Sequence, residues 1–260
     1  MKTISLIYET KDFIAVNKPA GVLVHPIKDP ISKIQDSREK TLVDWVLERF
    51  PEVKNVGDLP ADRQVVNSRP GIVHRLDRDT SGVILIARNQ AFFEYLKNLF
   101  KTHQIKKTYL ALAWGKLEPK SGIIKIPIGI KTGTIKRTVW RQKAKDIKEA
   151  ITEYRVLKNF KYNVPDVAAP LDFSLVELTP KTGRTHQIRI HLAALNHPVV
   201  GDNLYGFKKL SLGKLGIDLD RQFLHALSLE FNLVAGRRIR IEAELPDELK
   251  RIIDTLNGKR

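Results

Sequence analysis

Residues 83–86, Val-Ile-Leu-Ile, form an unbroken apolar run directly behind a charge-dense knot, and this junction constrains the fold more than any other segment. The run is too short for a helix, and its aliphatic and β-branched residues suit a buried strand. The knot in front of it, GIVHRLDRDTSG over residues 71–82, gathers Arg75, Asp77, Arg78 and Asp79, then Thr80, Ser81 and Gly82. A loop braced by a core strand is a rigid mount for chemistry, and this one presents a carboxylate among cations. The bland alternative is a solvated turn with a surface ion pair, the commoner fate of an isolated Arg-x-Asp.

Around this junction the chain alternates strand and helix signals without a regular βαβ rhythm. Two strand patterns open it: ISLIYET, with Ile4, Leu6 and Tyr8 alternating, and FIAVNKP, closed by Pro19 and Gly21. TLVDWVLERF places Leu42, Val43, Val46, Leu47 and Phe50 on one helical face before Pro51 stops it. Residues 27–40 and 51–70 lack a period and read as loops. Asn89 caps a second helix striped by Phe92, Leu96, Leu99 and Phe100, with His103 at its end as a terminal residue rather than a ligand.

Strand patterns follow at residues 106–114, 122–128, 150–157, 173–179, 222–231 and 237–245. Two further helices are expected. THQIRIHLAALN would be capped by Thr185 after the turn TPKTGR, with Ile188, Leu192 and Leu195 facing inward, and a C-terminal helix would be capped by Asp247, with Leu249, Ile252, Ile253 and Leu256 as its stripe. Meandering strands with a few helices predict an α+β fold: a largely antiparallel mixed sheet flanked by helices and loops.

Composition narrows the chemistry. Lys plus Arg outnumber Asp plus Glu by 45 to 29, a net charge of +16 that makes a polyanion the expected partner. Cysteine is absent, which excludes thiolate catalysis, disulfides and Cys-ligated metals. The seven histidines, His25, His74, His103, His186, His191, His197 and His225, show no pair at ligand spacing, so no metal is expected. Neither GxxxxGK nor GxGxxG occurs, so no nucleotide cofactor is implied. No apolar stretch has the length of a membrane span and the N-terminus lacks a signal-peptide core, which places the expected protein in the cytoplasm.

Within KKTYLALAWG, alternation sets Tyr109 beside Ala111 and Ala113 on one strand face, leaving room for a flat partner; a core tyrosine is the other reading. Arg189 adjoins the apolar stripe of its helix, so its stem can be buried and its guanidinium led toward a carboxylate. Arg184, His186 and Gln187 lie near that helix start, where phosphate is attracted, although each could equally be a solvated side chain. The basic stretches 97–107 and 131–145, the second with Trp140, are candidate backbone contacts or solvated surface.

The sequence resembles the RluA branch of the RNA pseudouridine synthases, whose signature is His-Arg-Leu-Asp followed two residues later by Thr-Ser-Gly; here these are His74 to Asp77 and Thr80 to Gly82. KKTYLALAWG at 106–115, KTGRTHQIRIHLAALNHPVVGDNLYG at 181–206 and FIAVNKPAGVLVHP at 13–26 extend the resemblance over nearly the whole chain. It implies the pseudouridine synthase catalytic fold with a central RNA-binding cleft, Asp77 as the catalytic aspartate, Tyr109 against the target base, and Arg189 paired with Asp77. It further implies that Arg75 enters the RNA; His74, Arg184, His186 and Gln187 are the other expected RNA contacts. One catalytic domain over residues 1–260 is expected, without the extra N-terminal RNA-binding domain of several relatives, acting as a monomer on rRNA or tRNA.

Uridine isomerisation needs no redox or phosphoryl step, so the lack of cofactor motifs agrees with it. The bond from C1′ to N1 breaks, the base turns, and C1′ joins C5. An ionised carboxylate can stabilise the positive charge developing on the sugar, bond to it, or remove the C2′ proton. The nucleotide must first be flipped from its stack. Two rivals remain at this stage: a non-catalytic RNA-binding or ribosome-assembly factor on the same fold, and a nucleoside hydrolase or glycosidase using a second carboxylate such as Asp79.

Overall fold

Strand-period segments dominate the computed structural model, which describes residues 3–26, 39–58, 69–132, 136–139, 142, 144–163, 170–207, 217, 219–234 and 236–258. The chain divides into two compact units interleaved along the sequence: Met1–Ile105 with Ser228–Glu244, and Lys106–Leu227 with Leu245–Arg260.

In the first unit β1 (Ser5–Glu9), β2 (Phe13–Lys18) and β3 (Ser81–Ala87) pair antiparallel in that order. All seven residues of β3 are buried, as the apolar run required. Helix α1 (Leu42–Arg49) begins with a capping box in which the Thr41 hydroxyl accepts from the Asp44 N–H and the Asp44 carboxylate accepts from the Thr41 N–H. Pro51 ends that helix, but a 3-10 turn over Pro51–Asn55 occupies the start of the expected loop. Helix α2 (Gln90–Lys101) is capped by Asn89, whose Oδ1 accepts from the Phe92 N–H at 2.9 Å. His103 follows it, exposed and in the left-handed region at φ 57°. Phe13 stacks on Phe92 at 4.9 Å and meets Phe231 edge-on at 5.9 Å, joining β2 and α2 to the end of β11 (Leu224–Asn232). Residues Ser228–Asn232 of that strand pair with β12 (Arg238–Glu242).

The second unit centres on β4 (Lys106–Trp114), which matches its expected bounds. β5 (Ser121–Lys125), β9 (Ile151–Tyr162) and β10 (Leu171–Pro180) join it antiparallel in the order β4-β10-β9-β5. Leu178 faces Tyr109 and Phe173 faces Trp114 in this register. The strand expected over 122–128 splits into β5 and β6 (Ile128–Lys131), and β6 forms a separate sheet with β7 (Arg137–Thr138), within the basic stretch 131–145, and β8 (Ala144–Lys148), which begins at its end. Trp140 lies outside the described residues.

Both remaining helix caps differ from expectation. Helix α3 (Gln187–Ala194) starts after His186 at φ 57° rather than at Thr185, and α4 (Asp247–Leu256) starts after Pro246 with Asp247 already helical and no side-chain cap. The apolar stripes nevertheless hold: Ile188, Leu192, Leu249, Ile252 and Leu256 are in the buried cluster, with Leu195 and Ile253 packed against it. Among the described residues no helix is long and apolar enough to cross a membrane.

Candidate active site

In the first unit the motif loop is pinned from three sides. Gly71, at its start, sits at φ 67°, where its N–H donates to the Val56 carbonyl (2.8 Å) and its carbonyl accepts from the Ala87 N–H (2.9 Å). A side chain at this point would meet the Ala87 carbonyl oxygen at 2.5 Å, so the approach of loop to strand requires glycine. His74 accepts the Leu85 N–H at Nε2 (2.9 Å) and stacks on Phe100 at 4.5 Å. That bond leaves the proton of a neutral ring on Nδ1 and gives His74 a bracing role that the motif did not disclose.

The third anchor is Lys18, fully buried at the end of β2. Its ammonium donates to the carbonyls of Pro19 (2.8 Å), Val22 (2.9 Å) and Arg78 (2.9 Å), filling three donors with fixed oxygens. The Gly21 N–H donates to the same Arg78 carbonyl at 2.8 Å. The backbone after Asp77 is thereby tied to the turn that follows β2, and the Thr80 N–H closes back on the Asp77 carbonyl at 3.2 Å. Within this frame Leu76 is buried, Asp77 half-buried, and Arg75 and Arg78 exposed. Arg78 is engaged by Glu39, at 2.7 and 2.9 Å from Nη2.

In the second unit Tyr109 lies half-buried against the core cluster. Arg189, on α3, is led inward as its position beside the apolar stripe predicted, and a carboxylate that sequence reasoning missed receives it. Its Nε and Nη2 donate to Oδ2 and Oδ1 of Asp202 at 2.7 and 2.8 Å. Asp202 Oδ1 also accepts the N–H groups of Leu204 (2.9 Å) and Tyr205 (3.0 Å). Burial, the largest influence on this carboxyl, pushes its pKa up, but the Arg189 hydrogen bond and charge with the two backbone donors outweigh it and hold it below the ordinary 3.8. The Tyr205 ring lies 5.2 Å from the guanidinium carbon, so Arg189 is fixed by a carboxylate and a π face together.

Tyr205 continues the arrangement. Its hydroxyl accepts the Arg137 N–H at 3.3 Å and lies 2.9 Å from His186 Nδ1, to which it can therefore donate. Arg184 is exposed, with Nε donating to the Glu149 carbonyl at 3.0 Å.

Gln187 is engaged within the fold. Expected to contact RNA, it is buried, and its side-chain amide is saturated within the fold: Oε1 accepts from Thr182 Oγ1 (2.7 Å) and the Arg184 N–H (3.0 Å), while Nε2 donates to the Ile151 carbonyl and to Thr152 Oγ1, both at 3.0 Å. Thr152 Oγ1 then lies 2.9 Å from Nδ1 of the fully buried His191, whose Nε2 faces the Ile126 carbonyl at 2.9 Å. Since a carbonyl only accepts, His191 carries its proton on Nε2, and Thr152 donates to Nδ1. Burial lowers the His191 pKa against the opposing effect of the Ile126 bond, favouring the neutral ring. Gln187 and His191 therefore brace the turn carrying Arg184.

Comparison with known proteins places this sheet-dominated α+β fold among enzymes that modify RNA. Residues 12–194 match the family described as RNA pseudouridylate synthase. An uncharacterized RNA pseudouridine synthase of Bacillus subtilis is 33% identical over 255 residues, covering 97% of this chain and 73% of that protein. Ribosomal large subunit pseudouridine synthase D of Borreliella burgdorferi is 35% identical over 267 residues, covering 97% and 72%. Among solved structures, human RNA pseudouridylate synthase domain containing 1 aligns with a TM-score of 0.67 at 25% identity, covering 99% of this chain and 96% of its own. The chain belongs to the RNA pseudouridine synthase family, of the RluA type, and is an isomerase that converts uridine to pseudouridine in RNA.

Proposed function

We propose that Asp77 is the carboxylate that acts at the sugar of a flipped-out uridine in structured RNA, with Arg189 as its charge partner and Tyr109 against the base. The observation that carries this reading is the mounting of the Asp77 loop: Gly71, His74 and Lys18 fix its backbone at both ends, while the side chain stays only half-buried. A carboxylate so held is pre-organised for attack or charge stabilisation at C1′. Arg189 is held by Asp202 through Nε and Nη2, and this proposal assigns its charge to Asp77 as well. Arg75 is the proposed wedge into the RNA, and Arg184 and His186 are proposed contacts near the start of α3. His74 and Gln187 support the loops that carry them.

Relatives named for the ribosomal large subunit make rRNA the first target to test, with tRNA the second. The test is pseudouridine mapping of total RNA with and without the protein, alongside Asp77→Asn. That variant should form no pseudouridine yet bind RNA nearly as tightly as wild type, because one carboxylate performs the chemistry and many cations the docking. Turnover close to wild type would remove Asp77 from this role, and free uracil in place of pseudouridine would mean hydrolysis.

A further inference from the structure

Among the described residues Lys18 and Lys107 are both drawn into the fold, and their ammonium groups are satisfied very differently. Lys18 fills three donors with carbonyl oxygens at 2.8–2.9 Å and serves as a structural tie. Lys107, on β4, is mostly buried, yet among the described residues its ammonium has one partner, the Thr182 carbonyl oxygen at a long 3.3 Å. Two of its three N–H donors are left over. The ionisable residues on the adjoining segments bring no relief: Lys106 precedes it on β4, and Lys181 and Arg184 on the turn after β10 are themselves cations, Lys181 already paired with Glu153 at 2.8 Å. Burial alone pushes the Lys107 pKa down to about 8.

An under-satisfied ammonium is a poor structural element, since an apolar side chain of the same length would pack there without the desolvation penalty. Its position supplies a use. Lys107 and Tyr109 are two residues apart on one strand, so their side chains leave the same face about 7 Å apart along the chain. Resting on the reading that Tyr109 packs against the target base, we infer that Lys107 donates to a carbonyl oxygen of the target uracil and stabilises the negative charge the base acquires during the reaction. When the C1′–N1 bond breaks, its electron pair leaves with the base, and the charge spreads onto the uracil oxygens. Asp77 answers the positive sugar, and Lys107 answers the negative base. The ammonium keeps its proton; C5 then bonds to C1′, and the proton lost from C5 is balanced by one gained at N1. Donors aimed at developing charge contribute most to rate and little to ground-state affinity.

The experiment compares wild type, Lys107→Met and Lys107→Arg by single-turnover pseudouridine formation at saturating RNA, RNA binding, and thermal melting. Lys107→Met should slow turnover by about 100-fold to 1,000-fold, change RNA affinity by less than about threefold, the mark of a contact made only in the transition state, and melt at or above the wild-type temperature. Lys107→Arg should recover part of the rate. The wild-type rate should also decline as pH rises through about 8, where the ammonium loses its proton, and Lys107→Arg should move that decline upward. A phosphate oxygen could take the same donors. In that case Lys107→Met would weaken binding and keep its rate at saturation, which overturns the inference, as do unchanged kinetics or a fall in melting temperature that accounts for the lost activity. A wild-type protein that forms no pseudouridine overturns the functional reading itself and the inference with it.

Discussion

Replacing Asp202 by Asn tests whether the carboxylate that sequence reasoning missed is what holds Arg189 in place. The substitution keeps the shape and removes the charge. In the native arrangement the carboxylate accepts four bonds, two from the guanidinium at 2.7 and 2.8 Å and two from backbone N–H groups at 2.9 and 3.0 Å. The carboxylate side chain is 0% exposed and the arginine side chain 8%. An asparagine oxygen can keep the backbone pair, but its NH2 group then points at a guanidinium N–H, donor against donor. Breaking a buried ion pair from one side costs about 3–5 kcal/mol because the remaining charge is left uncompensated. At about 2–4 °C per kcal/mol for chains near this size, the melting temperature should fall by about 6–20 °C.

The assay is thermal and urea denaturation of wild type, Asp202→Asn, Arg189→Met and the double variant. The double variant should lose clearly less than the sum of the singles, since it strands no charge. The sign of the pH dependence follows from the depressed Asp202 pKa. Its stabilising contribution is complete above the ordinary value of 3.8 and is lost as pH falls through the lower folded value, so the gap between wild type and Asp202→Asn should narrow below about pH 4. An Asp202→Asn protein that melts within about 2 °C of wild type, less than 1 kcal/mol on the same scale, refutes the argument.

His191, buried and neutral, has a folded pKa below the ordinary 6.5, so the unfolded chain takes up its proton first. Stability should be level above pH 6.5 and decline as pH falls below it; His191→Gln should flatten that decline in a melting series from pH 7.5 to 5.5. Gly71→Ala should destabilise by about 2–5 kcal/mol, combining left-handed backbone strain with overpacking against the Ala87 carbonyl. Urea titration measures this, and a loss below about 0.5 kcal/mol, the usual size of an unimportant surface change, would mean that the loop start relaxes freely.

Much of the fold was legible because its signals are local. The bounds of β4, the buried β3, the cap at Asn89 and the stripes of α2, α3 and α4 each follow from a period or a cap within about a dozen residues. The caps at Thr185 and Asp247 were misread for a reason with physical content. Neither helix start carries a side-chain cap: α3 begins after the left-handed residue His186 and α4 after Pro246, so cap residue types in the sequence do not mark them. The small sheet of β6, β7 and β8 is less legible, since its strands are short and flank or interrupt a basic run whose composition resembles a solvated surface.

The candidate site divides along the same line. The family resemblance singled out Asp77, Tyr109 and Arg189, whereas spacing alone left Tyr109 open to a core reading. It does not disclose which side chains the fold itself engages: the Gln187 amide is bonded within the fold, and His74 accepts the Leu85 N–H. Nor could it assign Asp202, a single carboxylate in a turn with no period around it. Local sequence determines which backbone each segment prefers and which face it buries. Which polar groups meet is decided only when distant segments pack, since a buried donor must find an acceptor wherever the tertiary structure puts one.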